Sequence, residues 1–543
     1  MPILNSRPIF LCLIFVTGGV ILSLELIASR VLTPFFGVSL YIWTAILSIT
    51  LTFLALGYQF GGWITTKFDE KYHESILLFI PLISALFIFL SCLVYPVIFP
   101  KLIITNLIIG SFIGSFILLA FPLVLLSSLN PILIALFRQL PQGKDSGAGF
   151  IFFVSTFGAV VGVMTTALLI IPNITNFSAM LINSIFLGLF TIFTHFLTQK
   201  NRTNAVNTKL WIFGILTILL CLSLLLWKNV YLKIVTSNTS AKGVRFEILA
   251  EYPSHYGNLK VVGIVPKGKK EFSQYVLYQN GLIQNKMSAE GNSLTASTYN
   301  LEKLTNFAPH AKNALILGFG VGVVPNKLKK KGMKVSVVDI NPNTLSVAKK
   351  YFHYKQNNTK IFFEDARMFV KKCVDEYDIV IIDIFHGDGM PEHVTTKEFF
   401  QDIKTCLSTN GILVSNAIIS LENETTKMSL VATIYSVFSN THFFITETSF
   451  KKDDKITVTN CFIVATKTIP PHNIIFNFSD VPKKILNRVV KTLNSYQKIQ
   501  HINFNKYRII SDNGNSYSSL FAKTYMKFRQ DIISYIPARI LIN

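Results

Sequence analysis

The stretch ALILGFGVG at residues 314–322 decides the fold of the C-terminal half of this chain. An apolar run of strand length ends in the pattern G-x-G-x-G, formed by Gly318, Gly320 and Gly322. Glycines directly after a strand let a ligand approach the backbone where a Cβ would clash. A helix is predicted to follow, towards Lys331. This order of strand, glycine turn and helix predicts an α/β sheet with a ligand at the turn.

Further strands follow, and acidic residues end the next three of them. The predicted strands cover residues 314–317, 335–338, 360–363, 378–382 and 411–415. Asp339, the pair Glu364-Asp365, and Asp383 stand at the strand ends. Strands that alternate with helices imply a mostly parallel sheet with right-handed crossovers, whose ligand lies beyond the carboxyl ends. We therefore expect the three aspartates and the glycine turn to share one site.

The spacing of this site favours a nucleoside ligand. Asp339 lies 21 residues after Gly318, and an acid about 20 residues after such a loop accepts hydrogen bonds from ribose hydroxyls. The loop lacks the glycine three places after the second one, which the dinucleotide fingerprint prefers. NAD is therefore the poorer ligand, and an adenosine-type ligand is predicted.

The first half of the chain has the composition of a membrane domain. Only 15% of all residues are charged and 50% are hydrophobic, whereas soluble domains carry about 25% charge. A helix needs about 20 apolar residues to cross a bilayer. Long uncharged runs predict spans near residues 9–29, 39–63, 75–97, 102–126, 149–171, 174–197 and 209–228. The fourth run reaches Phe137 and contains Pro122 and Pro131, so it predicts one kinked helix or two pieces, and seven or eight spans in all.

The expected domains follow from these patterns. Residues 1–235 are predicted to form a multi-pass transmembrane domain, and residues 240–290 a small β-layer with strands at 256–262 and 274–278. Residues 291–467 form the α/β domain. Residues 468–543 are a basic extension with a helix near residues 517–533, to which the sequence assigns no function.

The six cysteines are scattered and contain no C-x-x-C pair, so neither a zinc site nor a disulfide framework is expected. We predict no metal site. The net charge of +22 favours an anionic membrane surface, and no recognition motif for nucleic acid is present.

Several motifs resemble a known family of bacterial membrane proteins, the fused transporter-like/spermidine synthase proteins. In the helical half they are LELIASR, TPFFG and LALGY at residues 24–30, 33–37 and 54–58. In the soluble half they are the segments 280–284, 315–320, 338–342, 364–366, 382–383 and 396–400. The resemblance covers roughly residues 10–230 and 250–465. It implies a transmembrane bundle fused to a Rossmann-like AdoMet-dependent transferase domain.

The resemblance also implies binding roles. Asp339 matches the acid that holds ribose, Asp365 the acid that contacts the adenine amino group, and Gln284 a glutamine near the nucleoside. The expected co-substrate site comprises Gln284, Gly318, Gly320, Gly322, Asp339, Asp365 and Ala366. Its ligand would be decarboxylated AdoMet or AdoMet, with no prosthetic group.

The catalytic loop departs from the family pattern. Asp383 matches the first acid of an Asp-Ser-Ser-Asp-Pro loop, but the second acid falls on His386. Asp388 or His386 is expected to take over its role. The acid within the family's glycine loop is replaced by Val321, and the nearest candidate for the tyrosine of a Tyr-His-Glu segment is Tyr299.

The resemblance implies aminopropyl transfer from decarboxylated AdoMet to a putrescine-like amine. Two alternatives stay open: an AdoMet-dependent methyltransferase, which the two lost acids favour, and a non-catalytic nucleoside-binding sensor or transport component. The expected partners are the amine and the lipid bilayer, with a second copy of the chain also allowed.

Two opposing arguments bear on which side of the membrane the C-terminal domain occupies. With seven spans, the positive-inside rule puts the C-terminal domain outside. AdoMet is made in the cytoplasm, and we follow this chemistry: the chain is expected in the cell (inner) membrane with its soluble domain on the cytoplasmic side.

Overall fold

The structure is a computed structural model. The chain divides into two units. One comprises Met1–Ser240 with Ile536–Asn543, and the other Ala241–Tyr535. The described residues are 2–38, 40–103, 106–138, 147–199, 207–236, 244–356, 358–374, 376–385, 389–446, 458–471, 474–499, 502, 506–533 and 535–543.

The first unit consists of helices. They are α1 (Pro2–Phe36), α2 (Leu40–Lys67), α3 (Glu70–Leu102), α4 (Leu107–Ser127), α5 (Leu129–Arg138), α6 (Ala148–Thr165) with a π-helical turn at Thr166–Ile170, α7 (Asn176–Gln199), α8 (Asn207–Leu226), α9 (Lys228–Val235) and, far along the chain, α18 (Ala538–Leu541). Within the described ranges, seven segments are long and apolar enough to cross a membrane. The fourth is the pair α4 and α5, broken at Ser128. The predicted break at Pro172-Asn173 is confirmed, because α6 with its π-helical turn and α7 flank it.

Small residues bring these helices into close contact. A Cβ on Gly158 of α6 would lie 2.0 Å from the carbonyl oxygen of Phe15 in α1, and one on Gly162 would lie 2.3 Å from the oxygen of Gly19. In the same way, a Cβ on Gly61 of α2 would lie 2.3 Å from the oxygen of Ser128. Helices packed within lipid gain stability from such close backbone approach, since burial of apolar surface drives little association there.

The second unit begins with a four-stranded antiparallel sheet. Its strands are β1 (Val244–Tyr252), β2 (Leu259–Pro266), β3 (Gln274–Gln279) and β4 (Leu282–Ser288), in the order β1-β2-β3-β4. The Asn280-Gly281 pair, a sequence typical of tight turns, forms the turn between β3 and β4, with φ values of 48° at Asn280 and 84° at Gly281. The strand predicted from Tyr256 begins only at Leu259, because the chain turns there and Gly257 has a φ of 110°.

The main sheet has eight strands. They are β5 (Asn313–Leu317), β6 (Lys334–Val338), β7 (Lys360–Phe362), β8 (Tyr377–Ile382), β9 (Leu407–Ser420), β10 (Asn440–Ile445), β11 (Val458–Thr466) and β12 (Gln497–Ile499), in the order β12-β10-β11-β9-β8-β5-β6-β7. The pairs from β9 to β7 are parallel, as predicted, and β11, β10 and β12 extend the sheet antiparallel.

Helices cover both faces of this sheet. They are α10 (Ala296–Leu304), α11 (Val323–Lys330), α12 (Asn343–Tyr351), α13 (Ala366–Val370), α14 (Lys397–Cys406), α15 (Glu424–Tyr435), α16 (Lys483–Asn494) and α17 (Tyr517–Ile533). Successive strand residues alternate between two cores: Leu315 and Leu317 belong to one, and Ala314 and Ile316 to the other. This alternation follows from the two-residue period of a strand.

The C-terminal extension completes the second unit. Its strand β12 pairs with β10, so the extension adds an edge to the main sheet. The helix predicted near residues 517–533 is confirmed as α17.

One cysteine expectation was wrong. Cys373 and Cys406 form a disulfide, with Cα atoms 4.8 Å apart across 33 residues of sequence. Cys373 follows α13 and Cys406 ends α14, and only the packing of these two helices brings the thiols together. Spacing along the chain carries no trace of this contact.

The close approach at Gly61 predicts a difference between neighbouring glycines. Gly61→Leu should lower the Tm of the purified chain in detergent by several degrees, because overpacking costs about 1–3 kcal/mol. Gly62→Leu is the matched control, since nothing lies within 4 Å of a Cβ at Gly62. Equal Tm values for the two variants would contradict this account of the packing.

Candidate functional site

A cavity of about 460 Å³ lies at the carboxyl ends of the central strands in the second unit. Its lining includes Gly318, Gly320, Asp339, Asp365 and Asp383. Parallel pairing of β5 with β6 and β8 brings these residues together, because parallel strands end at the same edge of a sheet. The residues that the sequence spreads over more than 60 positions therefore face one space.

The other predicted residues divide into three groups. Gln284 and Ala366 also line the cavity. Gly322 does not line it: this glycine precedes α11, and a Cβ there would lie 2.3 Å from the ring of Tyr354. His386 and Asp388 lie outside the described residues.

The glycine turn is packed tightly against the end of β8. Gly318 has a φ of 99°, and a Cβ on it would lie 2.3 Å from the carbonyl oxygen of Asp383. Its N–H donates to the oxygen of Val338 at 2.8 Å, while the N–H of Asp383 donates to Leu317 at 2.9 Å. Only glycine fits this position without moving the loop.

Asp339 accepts hydrogen bonds from two backbone groups. Its Oδ2 accepts from the N–H of Phe319 at 2.9 Å and its Oδ1 from the N–H of Asn341 at 2.8 Å. Burial raises the pKa of Asp339 to about 6, although both N–H donors act in the opposite direction. Each carboxylate oxygen has a second acceptor site, so the side chain can still accept from ligand hydroxyls.

Asp365 caps the start of α13 and also contacts the imidazole of His393. Its Oδ1 accepts from the N–H groups of Arg367 and Met368, which makes it the N-cap of α13. Its Oδ2 lies 2.8 Å from Nε2 of His393, another cavity residue. No pattern in the sequence connects His393 with Asp365. Among the described residues, no group of three or more His, Cys, Asp or Glu side chains is arranged so that it could hold a metal ion.

Asp383 is the last member of a chain of side-chain hydrogen bonds that includes the amides of Asn416 and Asn460. Its Oδ1 accepts from Nδ2 of Asn416 at 2.9 Å, and Oδ1 of Asn416 accepts from Nδ2 of Asn460 at 2.9 Å. Burial raises the pKa of Asp383, and the Asn416 hydrogen bond partly offsets this. Sequence reasoning missed both asparagines. Asn416 does follow the predicted strand 411–415 directly, which was a usable signal, but the strand that carries Asn460 was not predicted.

Four consecutive residues of the small sheet, at positions 282–285, line the cavity. Leu277 pairs with Asn285 and Tyr278 with Ile283, so Gln284 has no partner and forms a β-bulge. Gln284 and Asn285 both line the cavity. In a regular strand only one of two neighbours would face it, and a bulge of this kind redirects a side chain.

The C-terminal extension also contributes to the lining. Phe528 and Ile532, one helical turn apart on α17, face the cavity. Helix α17 packs against β4, β9 and β11, so it closes the side of the cavity next to Asn416 and Asn460. A segment to which the sequence assigned no function is therefore part of the candidate site.

Two positions singled out by the resemblance do not line the cavity. Val321 is 2% exposed and belongs to a hydrophobic core. Tyr299 is also 2% exposed; its hydroxyl donates to the oxygen of Ser293. Neither the missing glycine-loop acid nor the missing tyrosine is replaced at these positions by a group that reaches the ligand space.

Comparisons with known proteins agree with this geometry. Residues 302–459 match the model of the spermine/spermidine synthase domain. A polyamine aminopropyltransferase of Vibrio vulnificus (strain CMCP6) is 34% identical over 116 residues, which are 20% of this chain and 39% of that protein. This chain therefore matches about two fifths of that relative's length.

One further relative carries a different activity in its name. An N-terminal histidine N-methyltransferase of Emericella nidulans is 31% identical over 142 residues, which are 25% of each protein. A probable spermidine synthase from Corynebacterium glutamicum ATCC 13032 has a similar structure with 16% identity and a TM-score of 0.37, covering 46% of this chain and 90% of that chain. The match to the spermine/spermidine synthase domain thus lies within the second unit, over residues 302–459.

Proposed function

We propose that the second unit transfers an aminopropyl group from decarboxylated AdoMet to an amine. The observation that carries this proposal is the single cavity that holds the glycine turn and the strand-end acids Asp339, Asp365 and Asp383. Such an arrangement suits a positively charged sulfonium nucleoside. The relatedness of residues 302–459 to aminopropyltransferases supports the same reaction.

The nucleoside end of the co-substrate is assigned to the acids after β6 and β7. Asp339 has free acceptor capacity and would take the ribose hydroxyls, as such acids do in nucleoside sites. Asp365 would accept from the adenine amino group through Oδ2, sharing this oxygen with His393. Gly318 and Gly320 allow the sulfonium arm to pass close to the backbone. The nucleoside is a co-substrate that leaves after each turnover.

The reaction itself needs a neutral amine and an aligned leaving group. The amine lone pair attacks the methylene carbon next to the sulfonium, the C–S bond breaks with its electrons going to sulfur, and methylthioadenosine leaves. The attacking nitrogen gives up a proton, and Asp383 is the carboxylate assigned to receive it. Burial raises its pKa, which makes its carboxylate a better proton acceptor, and Asn416 fixes its orientation. His386 and Asp388 stay further candidates for this role.

Methyl transfer from AdoMet is the second candidate. It is favoured by Val321, which puts an apolar core residue where the family has an acid. The partial match to a histidine N-methyltransferase points the same way. In both reactions the nucleophile attacks a carbon bonded to the sulfonium sulfur, so the two reactions are distinguished by their products.

The membrane setting is part of the proposal. The first unit would anchor the chain in the cell (inner) membrane, with the lipid bilayer as its partner. We assign the second unit to the cytoplasmic side, where AdoMet is made.

The reaction is tested with the full chain in detergent, supplied with putrescine or a panel of monoamines and either form of AdoMet. Methylthioadenosine release is expected, and Asp383→Asn should lower kcat by about 100-fold or more, since a positioned general base contributes about 10²–10⁴. Asp378→Asn is the matched control, because Asp378 lies at the opposite end of β8 and bonds the N–H groups of Lys312 and Asn313.

Other products would contradict aminopropyl transfer. Adenosylhomocysteine without methylthioadenosine would identify a methyltransferase. Nucleoside binding without any product, unchanged in Asp383→Asn, would identify a sensor.

The raised pKa of Asp339 predicts pH-dependent binding. Ribose hydroxyls donate to the ionised carboxylate, so binding favours the form that predominates above pH 6. Lowering the pH from 7.5 to 5.0 should weaken methylthioadenosine binding about tenfold, because one pH unit below the pKa leaves about a tenth of the groups ionised. Calorimetry on Asp339→Asn should give weaker binding that no longer varies with pH. A variant that keeps the variation would assign it to another group.

The Cys373–Cys406 disulfide provides a test of the cytoplasmic assignment. The cytosol reduces such bonds, so if the domain is cytoplasmic, acid-quenched and denatured cells should show both cysteines as free thiols that react with a mass-tagged maleimide. Cys373→Ser serves as control and should lose one tag. If both thiols react only after treatment with a reductant, the domain faces an oxidising compartment.

A further inference from the structure

Asn285 carries a buried acceptor that has no partner among the described residues. Its side chain is 8% exposed, and its Oδ1 makes no hydrogen bond. The same side chain lines the cavity. Leaving such a group unpaired costs about 1–3 kcal/mol, so a ligand donor at this position would remove the cost.

The backbone holds this carboxamide against the glycine turn. The β-bulge at Gln284 turns Asn285 towards the cavity. A Cβ on Gly320 would lie 3.1 Å from Nδ2 of Asn285, so the amide stands directly beside the turn. It lies on β4, which forms part of the cavity wall.

Among the described residues, two other buried asparagines of the second unit have unpaired side-chain atoms, but they lie outside the cavity lining. Asn258 and Asn300 also have both side-chain polar atoms without partners in the described structure, but neither lines the cavity. Only at Asn285, among these three, can a ligand supply the missing hydrogen bond.

The chemistry of the ligand identifies the donor. A sulfonium nucleoside seated with its ribose at Asp339 extends its sulfur-bound arm past the glycine turn, and that arm ends in an ammonium group. We infer that Oδ1 of Asn285 accepts a hydrogen bond from this ammonium and so selects nucleosides that carry the charged arm. This inference rests on the proposed function. A neutral amide there fits the ammonium of decarboxylated AdoMet and of AdoMet, whereas methylthioadenosine lacks the group.

The test compares three ligands on the full chain in detergent by calorimetry. Asn285→Leu keeps the side-chain shape and removes the acceptor. It should weaken decarboxylated AdoMet and AdoMet about tenfold or more, since hydrogen bonds to charged groups contribute about 1.5–3 kcal/mol, and should leave methylthioadenosine within about twofold. Asn285→Asp restores an acceptor and should restore or increase the affinity for decarboxylated AdoMet. Asn300→Leu, the matched buried control, should leave the order of the three affinities unchanged.

Each other result overturns the inference in its own way. An equal loss for methylthioadenosine would make Asn285 a structural residue. A loss of affinity confined to AdoMet would mean that the amide contacts the carboxylate of that ligand. If no affinity is lost, the acceptor has no role in binding. If the unaltered chain binds none of the three nucleosides, the proposed function fails together with the inference.

Discussion

Parallel pairing of β5 with β6 and β8 is the constraint on which the candidate site depends. The ladder runs on past the strand ends, where Gly318 donates to Val338 and Asp383 donates to Leu317. These two hydrogen bonds fix the glycine turn between the ends of its neighbours. A side chain at Gly318 would meet the backbone of Asp383, and Asp339 accepts a hydrogen bond from Phe319 in the turn. The glycine turn, Asp339 and Asp383 are therefore held in a fixed arrangement.

Three carboxylates around one cavity would repel each other if all were equally solvated and charged. The protein gives each a different environment. Asp339 receives two backbone N–H groups, Asp365 caps α13 and contacts His393, and Asp383 is held by the amide of Asn416. Burial raises the pKa of Asp339 and of Asp383. The two acids therefore differ in their hydrogen-bond partners rather than in the direction of their pKa shifts. This difference supports the separate tasks proposed for them, binding for Asp339 and proton transfer for Asp383.

The helices of the first unit are packed by a different kind of contact. Its contacts rely on glycines that let backbones approach, at Gly158 and Gly162 against α1 and at Gly61 against Ser128. Large apolar side chains such as Phe153 and Leu169 stay exposed on its surface, as expected of helices that face lipid. Apolar composition therefore defines the spans, whereas small residues define which helices meet.

The sequence by itself determined the apolar spans, the strands β5 to β8 and the acids at their ends, because these features repeat at the periods of helix and strand or follow a strand directly. It could not give the Cys373–Cys406 contact, the pairing of His393 with Asp365, the bulge that turns Asn285 towards the cavity, or α17 as a cavity wall. Each of these joins segments far apart in the chain through packing and register. Local patterns carry no information on such contacts, and only the tertiary structure decided them.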